Sequence, residues 1–483
     1  MRVSLIVPPL MDVKDGMLSP VSMDAIRTCP SYGVYLLAAI LREKGHEVII
    51  IDLIAQGSKE LSFHAGLILS SHLVSISASS LAWPTARKCI EEIRSFHPGI
   101  PIVLGGIHAT MFDYYLLGTT RADYCIRGEG DIALPLLCDT LERGGNLRQV
   151  GNLTYKLPDG TIKRNPCLPP VTPEQMAALP VPDYGCLHPG VYTGLGIESS
   201  RGCAFDCVFC ATTHRKTWRR LAPPVFTDRV EVVLEKVDLT THGLLQIIDD
   251  EFSLDVKRAT AVFKEFAKRE IRAKVVFDSR ANDLLDEDYL AAAQPYAHQF
   301  LVGAECGYDR GLKRVGKGTT VAKLIRAAGL LNRYGMAERA DFSFILGLPW
   351  ETKEEVLKTV DFAINLYRDH GVRVLLQWYC QIPGSRLWDE QREREILHES
   401  LYDDFGFFRN NYLFRTGVGL KPSEIYQVQA HIDQAVTHRE KNINGMDMIQ
   451  SGVPEAISTR YPNIPDTYPV SGLSNLRSAA GIH

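Results

Sequence analysis

From Arg2 to about Gly145, short and almost wholly apolar runs alternate with segments whose apolar positions recur every three or four residues. Val3 to Val7, Glu47 to Leu53, Leu73 to Ala78 and Ile102 to Gly105 predict strands, and Tyr32 to Lys44 and Pro84 to Phe96 predict helices between them. A strand that is apolar throughout must be covered on both faces. The pattern therefore predicts an α/β unit with a doubly wound, Rossmann-like parallel sheet. Ligands of such sheets lie beyond the carboxyl ends of the strands. Those ends read Pro8-Pro9, Ser77-Ala78-Ser79-Ser80, Gly105-Gly106-Ile107-His108-Ala109-Thr110 and Gly128-Glu129-Gly130, and their small and hydroxyl residues predict a shallow floor with polar walls.

The pattern changes at Asn146. Up to Thr193 the chain is rich in proline with only short apolar runs, which predicts a linker with one hairpin at Asp159-Gly160. A second alternating series follows, with strands expected at Gly194 to Ser200, Leu244 to Ile248, Lys274 to Phe277, Gln299 to Gly303, Asp341 to Leu346 and Val372 to Trp378. Repeated strand-helix units of this kind predict an incomplete parallel barrel with its chemistry at the carboxyl ends of the strands. Asp249-Asp250-Glu251, Asp278-Ser279-Arg280, Glu305 and Glu351 stand there. The repeats stop near Leu387. Leu401 to Phe414 is aromatic-rich and suits a cap over the barrel mouth or a small core, Glu424 to Thr437 reads as a helix, and Tyr461 to His483 reads as weakly ordered. The expected divisions are 1–145, 146–193, 194–387 and a mainly helical 388–483.

Composition narrows the function. The chain of 483 residues is 45% hydrophobic and 23% charged, and 53 basic against 57 acidic residues leave a formal charge of -4. Nothing in that balance attracts nucleic acid or an anionic membrane. The basic run His214 to Arg220 is either a solvated face or a seat for an anionic group. No stretch is long enough to cross a bilayer, and the first apolar run is too short for a signal peptide. The eleven cysteines are an odd number and mostly scattered, which predicts no disulfide framework and a reducing, cytoplasmic setting.

Three of those cysteines are not scattered. Ser199 to Ala211 reads S-S-R-G-C-A-F-D-C-V-F-C-A and carries Cys203, Cys207 and Cys210, whose thiols can converge from one loop. A structural zinc site takes four protein ligands, and no second Cys-x-x-Cys pair occurs. Three thiolates on a four-iron, four-sulfur cluster leave one iron open for an exogenous ligand, which a catalytic cluster requires. The bland alternative is three structural thiols in a turn.

Cys203-x-x-x-Cys207-x-x-Cys210 resembles the signature of the radical S-adenosylmethionine enzymes. Phe209 matches the aromatic that packs on the adenine there. Gly303-Ala304-Glu305, Gly347-Leu348-Pro349-Trp350-Glu351-Thr352 and Pro383-Gly384-Ser385-Arg386-Leu387 are similar to successive strand-end motifs of that barrel. The first third resembles the cobalamin-binding domain found upstream in one branch, the methyltransferase-like branch among them.

The resemblance implies a partial (β/α)6 barrel of TIM type and three cofactors: a 4Fe-4S cluster on Cys203, Cys207 and Cys210, S-adenosylmethionine, and cobalamin. It assigns Asp249, Asp250 and Glu251 to the amino group of S-adenosylmethionine, Arg280 and Glu305 to its carboxylate or ribose, and Gly347 to backbone approach to the adenine. Cys306 departs from the serine usual after that glutamate. Pro8, Ser77, Ser79, Ser80, Gly105, Gly106, His108, Thr110, Gly128, Glu129 and Gly130 would line the cobalamin site. Pro9 to Pro30 contains no histidine, so the cobalt is expected to lack a histidine on its lower face. The implied activity is methylation of an unactivated carbon of a small metabolite, lipid or peptide. The partners would be that substrate and an electron donor such as flavodoxin or ferredoxin, with no nucleic acid. Cyclisation or rearrangement without methyl transfer, and a non-catalytic iron-sulfur sensor, stay open as alternatives. No residue is singled out as a proton donor or acceptor.

Overall fold

Strands β1 (Arg2–Val7), β2 (Glu47–Asp52), β3 (Leu73–Ser77), β4 (Ile102–Gly105) and β5 (Tyr124–Ile126) pair in parallel in the order β2-β1-β3-β4-β5 in the computed structural model of the chain. The structure describes residues 1–9, 11–14, 17–20, 29–56, 61–394, 397–403, 418–436 and 449–451. Alternate residues of each strand serve two cores: Val3, Leu5 and Val7 pack on helix α1 (Tyr32–Glu43), and Ile6, Val74 and Ile76 pack with helix α2 (Trp83–Phe96). The strand order reverses between β1 and β3. In a sheet of this order the crevice at that switch point receives the ligand.

The hairpin expected at Asp159-Gly160 is present, turning on Gly160 at φ +84° between β6 (Leu153–Lys156) and β7 (Ile162–Arg164). It adds antiparallel to β5 and brings the first sheet to seven strands, so the proline-rich segment begins as sheet edge. The rest of that segment runs between the two sheets. There the hydroxyls of Tyr192 and Tyr35 both donate to buried Asp52, at 2.6 and 3.1 Å.

The second sheet is a row of parallel strands: β8 (Gly194–Ile197), β9 (Leu244–Ile247), β10 (Lys274–Ser279), β11 (Ala297–Glu305), β12 (Ala340–Leu346), β13 (Arg373–Trp378) and the short β14 (Ile449–Ser451). Its first and last strands do not pair, as an incomplete barrel requires. Helices on its outer side bury Phe226, Phe263 and Phe266 against Phe277 and Phe300 of the strands.

One expectation about the C-terminal region needs correction. Trp388, Leu397, Leu401 and Tyr402 join the core of the first domain, against Trp83 and Phe112, instead of lying over the barrel mouth. Asp403 fixes this strap by accepting from the Trp83 indole and the Tyr115 hydroxyl, each at 2.6 Å, and by pairing with Arg87 at 2.7 Å. Large aromatics need apolar partners, and helix α2 and helix α3 (Ile107–Thr119) offer them. The remaining aromatics of the segment, and Tyr461 to His483, lie outside the described residues.

Candidate active site

Strand β8 passes through Glu198 and Ser199 into a two-stranded ribbon, in which Ser200 and Arg201 pair antiparallel with Arg220 and Arg219. The ribbon closes the loop 202–218 that carries the three cysteines. Gly202 sits at φ +81°, and a Cβ there would lie 2.0 Å from the Thr217 carbonyl oxygen, so only glycine fits. Buried Asp249 accepts from the amides of Ser199 and Ser200 at 2.6 and 2.9 Å and from their hydroxyls at 2.5 and 2.6 Å. Asp250 accepts from the Gly202 amide at 2.9 Å and the Thr212 hydroxyl at 2.8 Å. Both aspartates thus brace the cysteine loop. Expected to hold an amino group, Asp249 has its two oxygens already committed to four donors.

The three thiols are half-buried, and none is in a disulfide. Burial pushes all three up, Cys203 to about 11, while Lys317 and Arg280 oppose the shift at Cys207. The thiolate is the metal ligand, so binding soft metal there would release these protons. Among the described residues no three His, Cys, Asp or Glu side chains close on a single point, as one metal ion would need. In a cluster each cysteine binds a different iron, so three thiols of one loop can serve a cluster without meeting at one point.

Around the loop, the carboxyl edge of the second sheet is dense with buried charge. Glu251, pushed up to about 7 mainly by burial, accepts from the Ser253 hydroxyl at 2.8 Å, and the same hydroxyl lies 2.7 Å from Asp283. Glu305 takes a left-handed φ of +62° and pairs with Lys317 at 2.8 Å. Gly303 makes room for that pair: a Cβ there would sit 2.2 Å from Lys317 Nζ and 2.5 Å from Glu305 Oε1. Arg280 donates to the Lys317 carbonyl and stacks 3.3 Å over the Phe205 ring, leaving its buried Nη1 without a partner. Lys317 is a residue that sequence reasoning missed. The signal was its place between two glycines in Gly316-Lys317-Gly318, a loop whose Val315 and Gly316 carbonyls contact Val208 at 3.1 Å and the Cys207 sulfur at 3.8 Å.

The other expected residues on this edge take different surroundings. Phe209 is half-buried and packs on the barrel core. The space beside Gly347 is filled by the chain itself, since a Cβ there would meet Val418 at 2.8 Å and Trp378 at 3.0 Å. Glu351 caps the same turn, accepting from the Leu348 amide and the Tyr308 hydroxyl, both at 2.9 Å. Cys306 is wholly buried. Asp278 lies exposed on the edge.

At the first sheet the strand ends enclose a cavity of about 200 Å³ lined by Ser75, Ser77, Gly105, Gly106, Gly128 and Gly130 with apolar walls from Leu5, Val34 and Leu134. A Cβ at Gly105 would meet nothing within 4 Å, whereas one at Gly106, at φ +98°, would lie 2.8 Å from the Ala78 carbonyl oxygen. The Thr110 hydroxyl donates to the Gly106 carbonyl at 2.9 Å and accepts from the Gly128 amide at 2.8 Å, tying two strand ends together. Pro8 is buried at the end of β1. A slot of this lining fits the slender tail of a large cofactor. Not all the expected residues serve it. Ser79 caps a turn through the Ala82 amide, Ser80 bonds His108 at 3.1 Å, and His108 is fully buried and stacked on Trp83. Tyr402 of the strap and Phe112 of helix α3 also pack edge-on against the imidazole, which holds it in the aromatic core of the first domain. Among the described residues no histidine lines the cavity.

Between the two edges lies a second cavity, of about 270 Å³, lined by Tyr32, Glu129, Asp131, Glu198, Arg201 and His214, with Gly202 and Asp250 of the cysteine loop region. The buried Tyr32 hydroxyl has no partner. Tyr32, Asp131 and Arg201 were not singled out in the sequence, because only the packing of two domains brings them together. Much of the basic run is engaged within the chain: Arg219 pairs with Glu129, Arg215 and Lys216 with Asp206, and Arg220 stacks on Trp218.

Comparison with known proteins agrees with this architecture. Residues 25–137 match the B12 binding domain and residues 197–363 the radical SAM superfamily. The chain is 29% identical over 413 residues to an uncharacterized methyltransferase of Pyrococcus horikoshii, covering 82% of this chain and 84% of that protein. It is 24% identical to the anaerobic magnesium-protoporphyrin IX monomethyl ester cyclase of Synechocystis sp., over 69% of this chain and 66% of that one. Its fold is shared with the radical S-adenosylmethionine methyltransferase TsrM from Kitasatospora setae, with a TM-score of 0.70 and 16% identity over 98% of this chain and 96% of TsrM. It is shared also with the cobalamin-dependent S-adenosylmethionine radical enzyme OxsB, with a TM-score of 0.61 and 19% identity over 82% of this chain but only 55% of OxsB. Among the described residues no helix is long and apolar enough to cross a membrane. With a B12 binding domain ahead of a radical domain, and three unbonded cysteines at the edge that faces it, the chain belongs to the cobalamin-dependent radical S-adenosylmethionine enzymes.

Proposed function

We propose that the protein methylates an unactivated carbon of a substrate held between its two sheets. One observation carries the reading: the cavity containing the unpartnered Tyr32 hydroxyl is bounded by the cysteine loop on one side and by the loop of the glycine slot on the other. Cys203, Cys207 and Cys210 would hold the cluster, and the glycine slot would hold the cobalamin tail. Lys317 and Arg280 offer cations, and Glu251 and Glu305 offer anions, to the amino-acid end of S-adenosylmethionine. When bound, these groups supply an electron, a carbon-centred radical and a transferable methyl group. The chain's own work is placement. Asp249 and Asp250 brace the loop, and the packed domains exclude water. The substrate is a small metabolite, lipid or peptide, and an electron donor such as flavodoxin or ferredoxin reduces the cluster in a reducing, cytoplasmic setting.

Cyclisation is the second reading, favoured by the relative named as a cyclase. Incubating reduced, reconstituted protein with methyl-labelled S-adenosylmethionine and a cell extract separates the two by mass spectrometry. A labelled product whose yield falls at least tenfold in Tyr32→Phe, while 5'-deoxyadenosine is still released, is expected from the loss of a substrate hydrogen bond. Deoxyadenosine with an unlabelled, altered product would favour cyclisation. Neither product would defeat both.

A further inference from the structure

Glu129 stands in the first domain, in the loop that forms one wall of the glycine slot, yet its side-chain contacts go to the second domain and to the segment that runs between the sheets. Its Oε1 accepts from Arg219 at 2.7 Å and lies 3.5 Å from Arg201 and 3.4 Å from His214, while its Oε2 accepts from the Val171 amide at 2.7 Å. Arg201 and Arg219 are direct partners across the ribbon that closes the cysteine loop. Two guanidinium groups at facing positions repel each other. The carboxylate that offsets them comes from the other domain, and it is well buried, with 12% of the side chain exposed against 11% and 8% for the two arginines. Asp131, two residues on, adds a bidentate pair to Arg201 at 2.9 Å for both bonds, and Glu198 grips the same guanidinium at 2.7 and 2.8 Å. The base of the cysteine loop is therefore incomplete without the first domain.

Glu129 is also fixed from its own side. Gly128 and Gly130, its two neighbours, line the slot. Gly128 is further held by Thr110, whose hydroxyl reaches the Gly106 carbonyl on the next strand end. His214, the third group near Glu129, is a member of the cysteine loop, and its carbonyl accepts from the Cys203 amide at 3.3 Å. One short segment, 128–131, thus touches the place where a cofactor tail would enter and the ribbon that aims the cysteines.

We propose that Glu129 is a positioning residue of the cysteine loop, and that filling the slot and setting the loop are energetically coupled through it. The inference rests on the reading of the slot as the cobalamin site and of the loop as the cluster site. Coupling of this kind is reciprocal, because whatever free energy the cluster adds to cobalamin binding, cobalamin adds to the cluster.

The test is equilibrium dialysis of hydroxocobalamin under anaerobic conditions against the full chain, with and without its reconstituted cluster. In the wild type the cluster should tighten hydroxocobalamin binding by about tenfold. In Glu129→Gln, which keeps the shape but loses the charge, the ratio should fall to within about twofold of one, and Glu129→Asp should restore part of it. Ser77→Ala, in the slot but away from the arginines, should weaken binding in both states and leave the ratio intact. A merely structural role for Glu129 would lower both affinities together. A ratio of one in the wild type, or a full ratio surviving in Glu129→Gln, overturns the proposal. Failure of the wild type to bind hydroxocobalamin in either state overturns the reading of the slot, and this inference with it.

Discussion

At the edge of the first sheet a side chain added to Gly105 would meet nothing within 4 Å, whereas at the edge of the second one added to Gly303 would strike Lys317 at 2.2 Å and Glu305 at 2.5 Å. The two edges are built in opposite ways. In the first, side chains are left out, so that serines, glycines and aliphatic walls surround open space. In the second, charges are packed in and held by an ion pair or by hydroxyls, as with Glu305 on Lys317, Glu251 and Asp283 on Ser253, and Asp249 on two serines. A slot of serines, glycines and aliphatic walls suits the burial of a slender tail, and fixed charges suit a small zwitterion. Glycine in the first edge provides volume, and in the second it admits an ion pair.

The largest effect should come from the cysteine loop. Cys207→Ala should abolish the brown chromophore and all cleavage of S-adenosylmethionine, while Cys167→Ala, outside the loop, should leave both in place. Iron and sulfide assays check this; a full cluster in Cys207→Ala would end the assignment of the second edge.

Acid should act on the two regions with opposite signs. Burial holds Glu351 up at about 7, against an ordinary glutamate near 4.3. The folded state then binds that proton more tightly than the unfolded one. The contribution is full below about pH 4.3 and is lost as pH rises through 7, about 4 kcal/mol in all. His108 is the reverse. Burial depresses it to about 3, so the first domain loses stability as pH falls below about 6.5. Between pH 5 and 8, thermal melts of Glu351→Gln should have lost the component that falls with rising pH, and melts of His108→Gln the component that falls with decreasing pH. Identical slopes in wild type and Glu351→Gln would show that its proton is not linked to folding.

The glycines give the smallest and most direct contrast. Gly303→Ala should cost about 2 kcal/mol by overpacking the Lys317 and Glu305 pair. Gly105→Val should leave the melting temperature nearly unchanged and weaken hydroxocobalamin binding about tenfold, some 1.4 kcal/mol, by filling the slot. Equal losses of stability in the two variants would erase the distinction between the edges.

Most of the fold was legible in the residues. Apolar runs of strand length separated by helical periods located four strands of the first sheet and six of the second to within about three residues, but not β5 or the short β14, and of β6 and β7 only their turn. The cysteine spacing located the loop, because ligand spacing is a local property. The roles of single polar residues were less legible. Asp249 and Glu129 were rightly placed at strand ends, but the first braces its own loop and the second reaches across to another domain. His108 follows the glycine pair in the chain yet is enclosed by Tyr402, almost three hundred residues away.

By itself the sequence determined two parallel α/β units in order, three thiols on a loop at the second, and an edge poor in side chains at the first, since each depends on residue types at short separations. Only the tertiary structure decided which charges would meet. Glu198 gives Arg201 a local counter-charge, but Glu129 and Asp131 reach Arg201 and Arg219 only because the two carboxyl edges face each other. Lys317 becomes a site residue only because its glycine-flanked loop docks on Cys207 and Val208. Side-chain charge acts over a few ångströms whatever the distance along the chain, so the pairing of such groups is settled by packing and cannot be read from local pattern.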